Sequence, residues 1–308
     1  MSPKVLFHRD FRQYTGGHGK VWDYFNHLRA LGWDARVYLT AQSLRDESNP
    51  WMQCPELIVE KFNPQAADLL FLAGMDWQAV PANIPLPPII NLLQGVRHAQ
   101  STPELPLRDF LSRPAFRVCV SQAVADAVQA SGEVNGPVRV IPAALDMAVN
   151  APTAAGALQG AIFIGAQKQP SLGAALADWL QAHGYAVDLL LDMLPRAQYL
   201  ARLSQAAVAV TLPMSDEGFF LPGLEAMALG KPLVMPAAGG NLQYARDGQN
   251  CLMPPLAVEP LGQAVLRIHQ DAELREQLVQ AAHLTALRFA PAEERQALAE
   301  ALYEWRLM

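Results

Sequence analysis

Short apolar runs alternate with amphipathic helical patterns along nearly the whole chain. A run of this kind, bounded by turn residues and followed by a helix-period pattern, is the signature of βα units wound into a parallel sheet. Strands are predicted over residues 4–7, 35–39, 68–72, 89–93, 116–120 and 138–141, with helices over 18–31, ended by Gly32, and 122–130, capped by Ser121. A second alternation begins with a strand at 161–164 and a helix over 171–183. It continues with strands at 186–191 and 208–212, a helix over 222–229 and a strand at 232–235, and three helices over 258–270, 272–288 and 292–306 close the chain. Residues 148–160 are small and polar with a proline and two glycines, and read as a linker. At 308 residues the chain exceeds what one core usually fills. The fold class expected is therefore α/β, with two Rossmann-like doubly wound parallel-sheet domains over 1–150 and 151–290. Such an arrangement offers a cleft between domains, a common place for small-molecule sites.

Composition narrows the function. Hydrophobic residues are 51% of the chain and charged residues 17%, enough apolar surface for buried strands and too little charge for disorder. A formal charge of −6 and a pI near 5.6, without clustered lysines or arginines, argue against nucleic acid as a partner. No apolar run approaches the roughly 18 residues of a membrane span, and the amino terminus does not read as a signal peptide. Cys54, Cys119 and Cys251 are odd in number and far apart, which supports neither a disulfide framework nor a zinc site and suits a reducing cytoplasm.

The segment EGFFLPGLE, residues 217–225, carries the chemistry. It follows an apolar strand and runs through a loop into a helix whose first turn contains Pro222, which places the helix start near Leu221. The backbone amides of Gly218, Phe219, Phe220 and Leu221 then point outward from a helix amino terminus, where unpaired donors and the positive dipole end suit a diphosphate. Gly218 and Gly223 keep that approach uncrowded, and Gly230 closes the helix. Two carboxylates beside a phosphate site are reasonable when they bind hydroxyls, and Glu217 and Glu225 would divide a sugar and a ribose between them. Taken alone, Glu217 could equally be a solvated loop residue and Glu225 a helix-surface glutamate.

The stretch from EGFFLPGLE to CLMPP, residues 217–255, resembles the donor-binding region of retaining GT-B glycosyltransferases, the glycosyl transferases group 1 type marked by two glutamates separated by seven residues (E-x7-E). Collinear matches are TGGHGKV at 15–21, NLLQGVRHA at 91–99, RVCVSQAVADAV at 117–128 and VRVIPAALD at 138–146. The resemblance implies a GT-B fold, with an acceptor-side domain over 1–150, a nucleotide-sugar domain over 151–290, and a helix over 291–308 crossing back to the first. It implies that Glu225 binds ribose and that Glu217 sits near the donor sugar. The amides of Phe219, Phe220 and Leu221 would meet the diphosphate and sugar. The implied reaction moves a sugar from a nucleoside-diphosphate donor to a hydroxyl of a glycan, lipid-linked saccharide or natural product, with retention, no metal and no cofactor. Without a transmembrane segment, peripheral membrane association stays open. An epimerase or a phosphorylase shares the fold, but a phosphorylase needs a pyridoxal lysine and a longer chain. A degenerate module that binds nucleotide sugar and regulates or scaffolds a partner enzyme is the alternative.

That alternative draws on departures from the pattern. Ala166 stands where the resemblance implies a diphosphate-binding arginine, and Lys168 arrives early as the candidate phosphate cation, or is an ordinary surface lysine. Ala143 and Ala144 replace the usual asparagine and glycine before Asp146. In the amino-terminal half, Gly16 and Gly17 precede a helix expected near His18, and their loop could lean over the diphosphate. Tyr14 and Val21 exclude a nucleotide-triphosphate loop, and the HRD triplet at His8 lacks the other kinase motifs. His98, with Arg97 beside it at a strand's carboxyl end, is the candidate for proton transfer or sugar binding through an expected near-neutral pKa, with a structural role as the other reading. Asp10, His8 and His18 are weaker acceptor-side candidates. Gly239, Gly240 and Asn241 would shape the nucleobase side or simply make a turn.

Overall fold

The apolar runs become strands that hydrogen-bond in parallel. In the computed structural model, which describes residues 2–82, 84–150 and 158–308, the first strands and helices are β1 (Lys4–Arg9), α1 (Gly16–Ala30), β2 (Asp34–Leu39), β3 (Ile58–Val59), β4 (Leu69–Ala73), β5 (Ile89–Leu93), β6 (Phe116–Cys119), α2 (Gln122–Ala130) and β7 (Val138–Val140). They form one seven-stranded parallel sheet in the order β3-β2-β1-β4-β5-β6-β7. β4 and β5 are buried at every position, which is why LLFLA and IINLL show no polar alternation. Sequence order reverses between β1 and β4, so the loops that leave these two neighbours diverge at their carboxyl ends.

The second alternation gives β8 (Ile162–Gly165), α3 (Pro170–Ala182), β9 (Val187–Leu190), α4 (Arg196–Ser204), β10 (Val208–Thr211), α5 (Leu221–Ala228), β11 (Leu233–Val234), α6 (Val258–Gln270), α7 (Ala272–Leu287) and α8 (Pro291–Glu304). Its parallel sheet runs β11-β10-β8-β9, with the order reversing between β8 and β10. The core packs Ile162, Ile164, Val208 and Val210 of this sheet with Leu176 and Leu180 of α3 and Leu261, Val265 and Ile268 of α6. Each such side chain fully removed from water contributes about 1.5–3 kcal/mol.

Two compact units result, Met1–Ala143 with Pro291–Met308, and Ala144–Ala290. The division precedes residue 150: Leu145 N donates to Phe289 O and Asn150 N to Ala228 O, so both residues are tied to the second unit. Most of the expected linker, residues 151–157, lies outside the described residues. The predicted caps are present, since Val124 N donates to Ser121 Oγ and Gly32 has φ +91°. Helix α1 begins two residues before the expected His18, because Thr15 Oγ1 accepts from His18 N and draws Gly16 and Gly17 into the first turn. α4 and the two-residue β3 were not expected. Tyr199 and Leu203, buried four positions apart just after Pro195, are the sequence signal for α4. No helix among the described residues is long and apolar enough to cross a membrane.

Within the first unit, α8 docks on α1 through a buried ionic cluster. Glu294 accepts from Lys20 Nζ at 3.1 and 3.2 Å and from His27 Nε2 at 2.9 Å, and Lys20 also pairs with Asp23 at 2.7 Å. Burial opposes ionisation of Glu294, but Lys20 and His27 outweigh it and hold the carboxyl below its ordinary value. A depressed carboxyl contributes stability that is complete above its unfolded pKa and is lost as pH falls through the folded one. Glu294→Ala leaves Lys20 and His27 buried beside a lost charge and should cost about 3–5 kcal/mol, read from the urea midpoint by tryptophan fluorescence. The loss should shrink in acid.

Candidate functional site

The second unit places the EGFFLPGLE segment at its sheet reversal. Thr211 and Gly165 are register partners at the ends of β10 and β8, and the loops beyond them carry Glu217 and Lys168. Lys168 Nζ donates to Glu217 Oε1 and lies 5.6 Å from the Phe220 ring centroid. The lysine side chain is 46% exposed and the glutamate 13%, so this pair is partly screened and open to exchange. The two predicted residues are thus brought together, and Lys168 is not a solitary surface lysine.

Helix α5 starts at Leu221, with Pro222 in its first turn, and the residue before it is strained. Phe220 has φ +65° and ψ +68°, a left-handed conformation that a bulky residue rarely adopts. Its carbonyl accepts from Tyr244 Oη at 2.6 Å, and the absent side chain of Gly223 leaves room for Tyr244 and Met235, which would stand 2.5 and 2.4 Å from a Cβ there. Gly240 N donates to Glu217 O at 3.2 Å, and a Cβ on Gly240 would lie 2.2–2.5 Å from the backbone of Glu217 and Gly218. Gly240 therefore sets the loop that carries Glu217, a role beyond a turn. The Asn241 side chain stays close to that turn, accepting from Ala238 N and donating to Pro236 O. Phe219 is buried against Tyr244 and Phe289, with ring centroids at 5.4 and 5.7 Å. At the far end Gly230, at φ +68°, closes α5, with Gly230 N bonding Met227 O and Lys231 N bonding Ala226 O.

Glu225 is not a surface glutamate. It is 5% exposed, and Arg196 reaches Oε1 from α4 with Nε at 3.3 Å and Nη2 at 3.2 Å while Nη1 donates to Asp146 O. Burial pushes the Glu225 carboxyl up, and Arg196 pulls it back only in part. Glu217 and Glu225 thus each have their own cation. Ala166 is fully buried, and a Cβ on Gly173 of α3 would fall 2.1 Å from its own Cβ. A longer side chain at 166 would meet α3.

In the first unit, Gly16 and Gly17 occupy the first turn of α1, and Gln94, just after β5, donates to Gly17 O at 3.2 Å. His98 is buried in the turn after β5, and its Nδ1–H donates to Gly95 O at 2.9 Å, which leaves Nε2 with the lone pair. The expected near-neutral pKa is corrected. Burial, helped by the charge of Arg97, lowers it to about 4 despite the bond to Gly95, so His98 is a neutral acceptor near pH 7 rather than a poised acid–base. Arg97 itself is exposed; its carbonyl accepts from Gln100 N, and its side chain makes no hydrogen bond to a described residue. Asp10 accepts from Thr40 Oγ1 at 2.5 Å and Arg12 Nε at 2.9 Å. Against the effect of burial, these partners hold its carboxyl below the ordinary value. His8 and His18 belong to one hydrogen-bonded chain through Asp76 and Arg9. Among the described residues no three His, Cys, Asp or Glu side chains come together as metal ligands would.

Residues 184–285 match the model of the family described as glycosyl transferases group 1. The matched third of the chain contains Arg196, Glu217, Glu225, Gly240 and Tyr244. No curated protein matches the sequence. Among solved structures, HepE from Anabaena, in complex with UDP and glucose, is similar with TM-score 0.75 at 17% identity, over 98% of this chain and 100% of that one. Sucrose-phosphate synthase from Thermosynechococcus elongatus gives 0.73 at 13% identity over 99% of each chain, and a glycosyltransferase from Rickettsia africae gives 0.73 at 11% identity over 98% of each. The fold is that of GT-B glycosyltransferases.

Sequence reasoning missed Arg196, Tyr244 and Asp76. An arginine in the first turn of a weakly apolar helix carries no local sign of a partner 29 positions away. Two substitutions test the geometry. Gly240→Ala should destabilise the protein by about 1–3 kcal/mol in thermal unfolding, because the new Cβ meets backbone that cannot rotate aside. Ala166→Arg should lower the melting temperature as well, through its clash with α3, and should not increase nucleotide affinity.

Proposed function

We propose that the protein moves a sugar from a nucleoside-diphosphate sugar to an acceptor hydroxyl of a glycan, lipid-linked saccharide or natural product, with retention of configuration and without a metal. The observation that carries this reading is the Lys168–Glu217 pair beside the amino terminus of α5, with the buried Glu225–Arg196 pair one turn further along. In that first pair the two charges balance each other. When a donor binds, its diphosphate takes Lys168 and the α5 amides of Phe219, Phe220 and Leu221, and Glu217 turns to the sugar hydroxyls. Glu225, held by Arg196, accepts from the ribose hydroxyls. Gly16 and Gly17 supply further amides to the phosphates, and His98 accepts a sugar hydroxyl at Nε2. Arg97, His18 and Asp10 are the acceptor-side candidates. The bound UDP and glucose of HepE support the class of donor, and the family match supports the transfer.

The reaction needs no protein nucleophile. The acceptor oxygen attacks the anomeric carbon from the face the diphosphate leaves, the bond to the leaving phosphate oxygen breaks, and that oxygen takes the acceptor proton. Lys168 and the helix end balance the charge left on the diphosphate. A cytoplasmic setting would supply such donors.

A second reading rests on Ala166, whose burial against Gly173 leaves the site one cation short of the pattern: a module that binds nucleotide sugar and regulates or scaffolds a partner enzyme. Release of nucleoside diphosphate from a panel of sugar nucleotides separates the two, since a transferase leaks some and a binding module none. Within the transfer reading, Glu225→Ala should weaken binding of the nucleoside diphosphate itself by about tenfold, or about 1.4 kcal/mol. Glu217→Ala should leave that titration nearly unchanged and reduce turnover instead. Unchanged titrations with both variants overturn the division of labour.

A further inference from the structure

β1 of the first unit ends in two polar side chains, His8 and Arg9, each 8% exposed and following the buried apolar run Val5, Leu6 and Phe7. Charged groups this deep cost several kcal/mol unless paired. Asp76, from the turn after the neighbouring strand β4, pairs with both. Its Oδ1 accepts from His8 Nδ1 at 3.2 Å, and its Oδ2 accepts from Arg9 Nη1 at 2.5 Å and Ala73 N at 2.9 Å. The other end of the guanidinium, Nη2, stands 2.8 Å from Nδ1 of His18 in the first turn of α1.

That last contact has one chemical solution. A guanidinium only donates, so Nδ1 of His18 holds a lone pair and its proton sits on Nε2. Burial and the charge of Arg9 push the imidazole down to about 4, against the pull of Asp76 and Asp10, so the ring is neutral near pH 7. The Phe11 ring packs edge-on at 4.9 Å. Nε2–H has no partner among the described residues. A general-base role is excluded, because one nitrogen is occupied and the other already carries a proton. His98 has the opposite sense, with Nδ1–H bound and Nε2 accepting.

We infer that His18 is a one-way hydrogen-bond donor whose Nε2–H serves an oxygen of the ligand bound at the carboxyl ends of β1 and β4, and that Arg9 and Asp76 are positioning residues that fix its tautomer. The ligand, though not the tautomer, rests on the sugar-transfer reading. The oxygen belongs either to the nucleotide sugar or to the acceptor hydroxyl.

Histidine nitrogen-15 spectra of the whole protein test the tautomer without any ligand. His18 should remain neutral and Nε2-protonated from pH 8 to 5.5, and in Arg9→Met it should titrate nearer its ordinary value with mixed tautomers. Asp76→Asn, a gentler change, should shift it in the same direction. An Nδ1-protonated ring, or a tautomer unmoved by either variant, overturns the inference. Function is read with His18→Gln, which keeps a donor near Nε2, against His18→Asn and His18→Ala, which do not. The glutamine variant should stay within about threefold of the parent, and the other two should lose at least tenfold. A loss in UDP-glucose titrations without acceptor assigns the oxygen to the donor, and a loss only in turnover at saturating donor assigns it to the acceptor. Equal values for all three variants overturn the ligand role. If the parent neither binds nor cleaves any sugar nucleotide, the sugar-transfer reading fails while the spectra still decide the tautomer.

Discussion

The arrangement of the second unit depends on the pairing of β8 with β10. These strands are neighbours in space and not in sequence, so the chain leaves them toward opposite faces of the sheet and opens a crevice at their carboxyl ends. Lys168 stands on one lip, Glu217 on the other, and α5 begins there. The left-handed peptide of Phe220, held by the hydroxyl of Tyr244 and given room by Gly223, aims the helix end at that crevice. Removing the register of β8 and β10 would leave the same residues with no shared site.

Charge pairs differ with depth within each unit. Glu225 with Arg196, Asp76 with Arg9 and His8, and Glu294 with Lys20 and His27 are buried carboxylates, and each has a cation at hydrogen-bond distance. Losing one partner of such a set costs several kcal/mol, so these pairs are fixed framework. Lys168 with Glu217 is different. Its lysine is half in water, and exposed pairs contribute only about 0–1 kcal/mol, so this pair can be separated at little cost. The same argument divides the histidines: His18 and His98 are kept neutral by burial and given opposite hydrogen-bonding senses by Arg9 and the Gly95 carbonyl.

Ala166 shows how a substitution pattern can mislead when read along the chain alone. The sequence suggests a missing arginine and therefore a missing charge. The structure adds that the side chain at this position packs into α3 against Gly173, so the alanine belongs to the core of this unit. The cation at this end of the sheet is Lys168, two residues on, which donates to Glu217.

Local rules were enough for much of this protein. Apolar runs covered on both faces identify parallel strands, Pro222 marks the start of α5, Gly230 its end and Ser121 the cap of α2, because each effect acts within a turn or two of chain. The paired glutamates at 217 and 225 were legible as residues, though not their partners. Arg196 meets Glu225 across 29 positions and Asp76 meets Arg9 across 67, contacts that exist only once strand order brings distant loops together. The left-handed Phe220, the close approach of Gly240 and the low pKa of His98 were likewise decided by the tertiary structure. Each depends on what surrounds a residue in three dimensions: how much water is excluded, which backbone lies within contact, and which charge stands nearby.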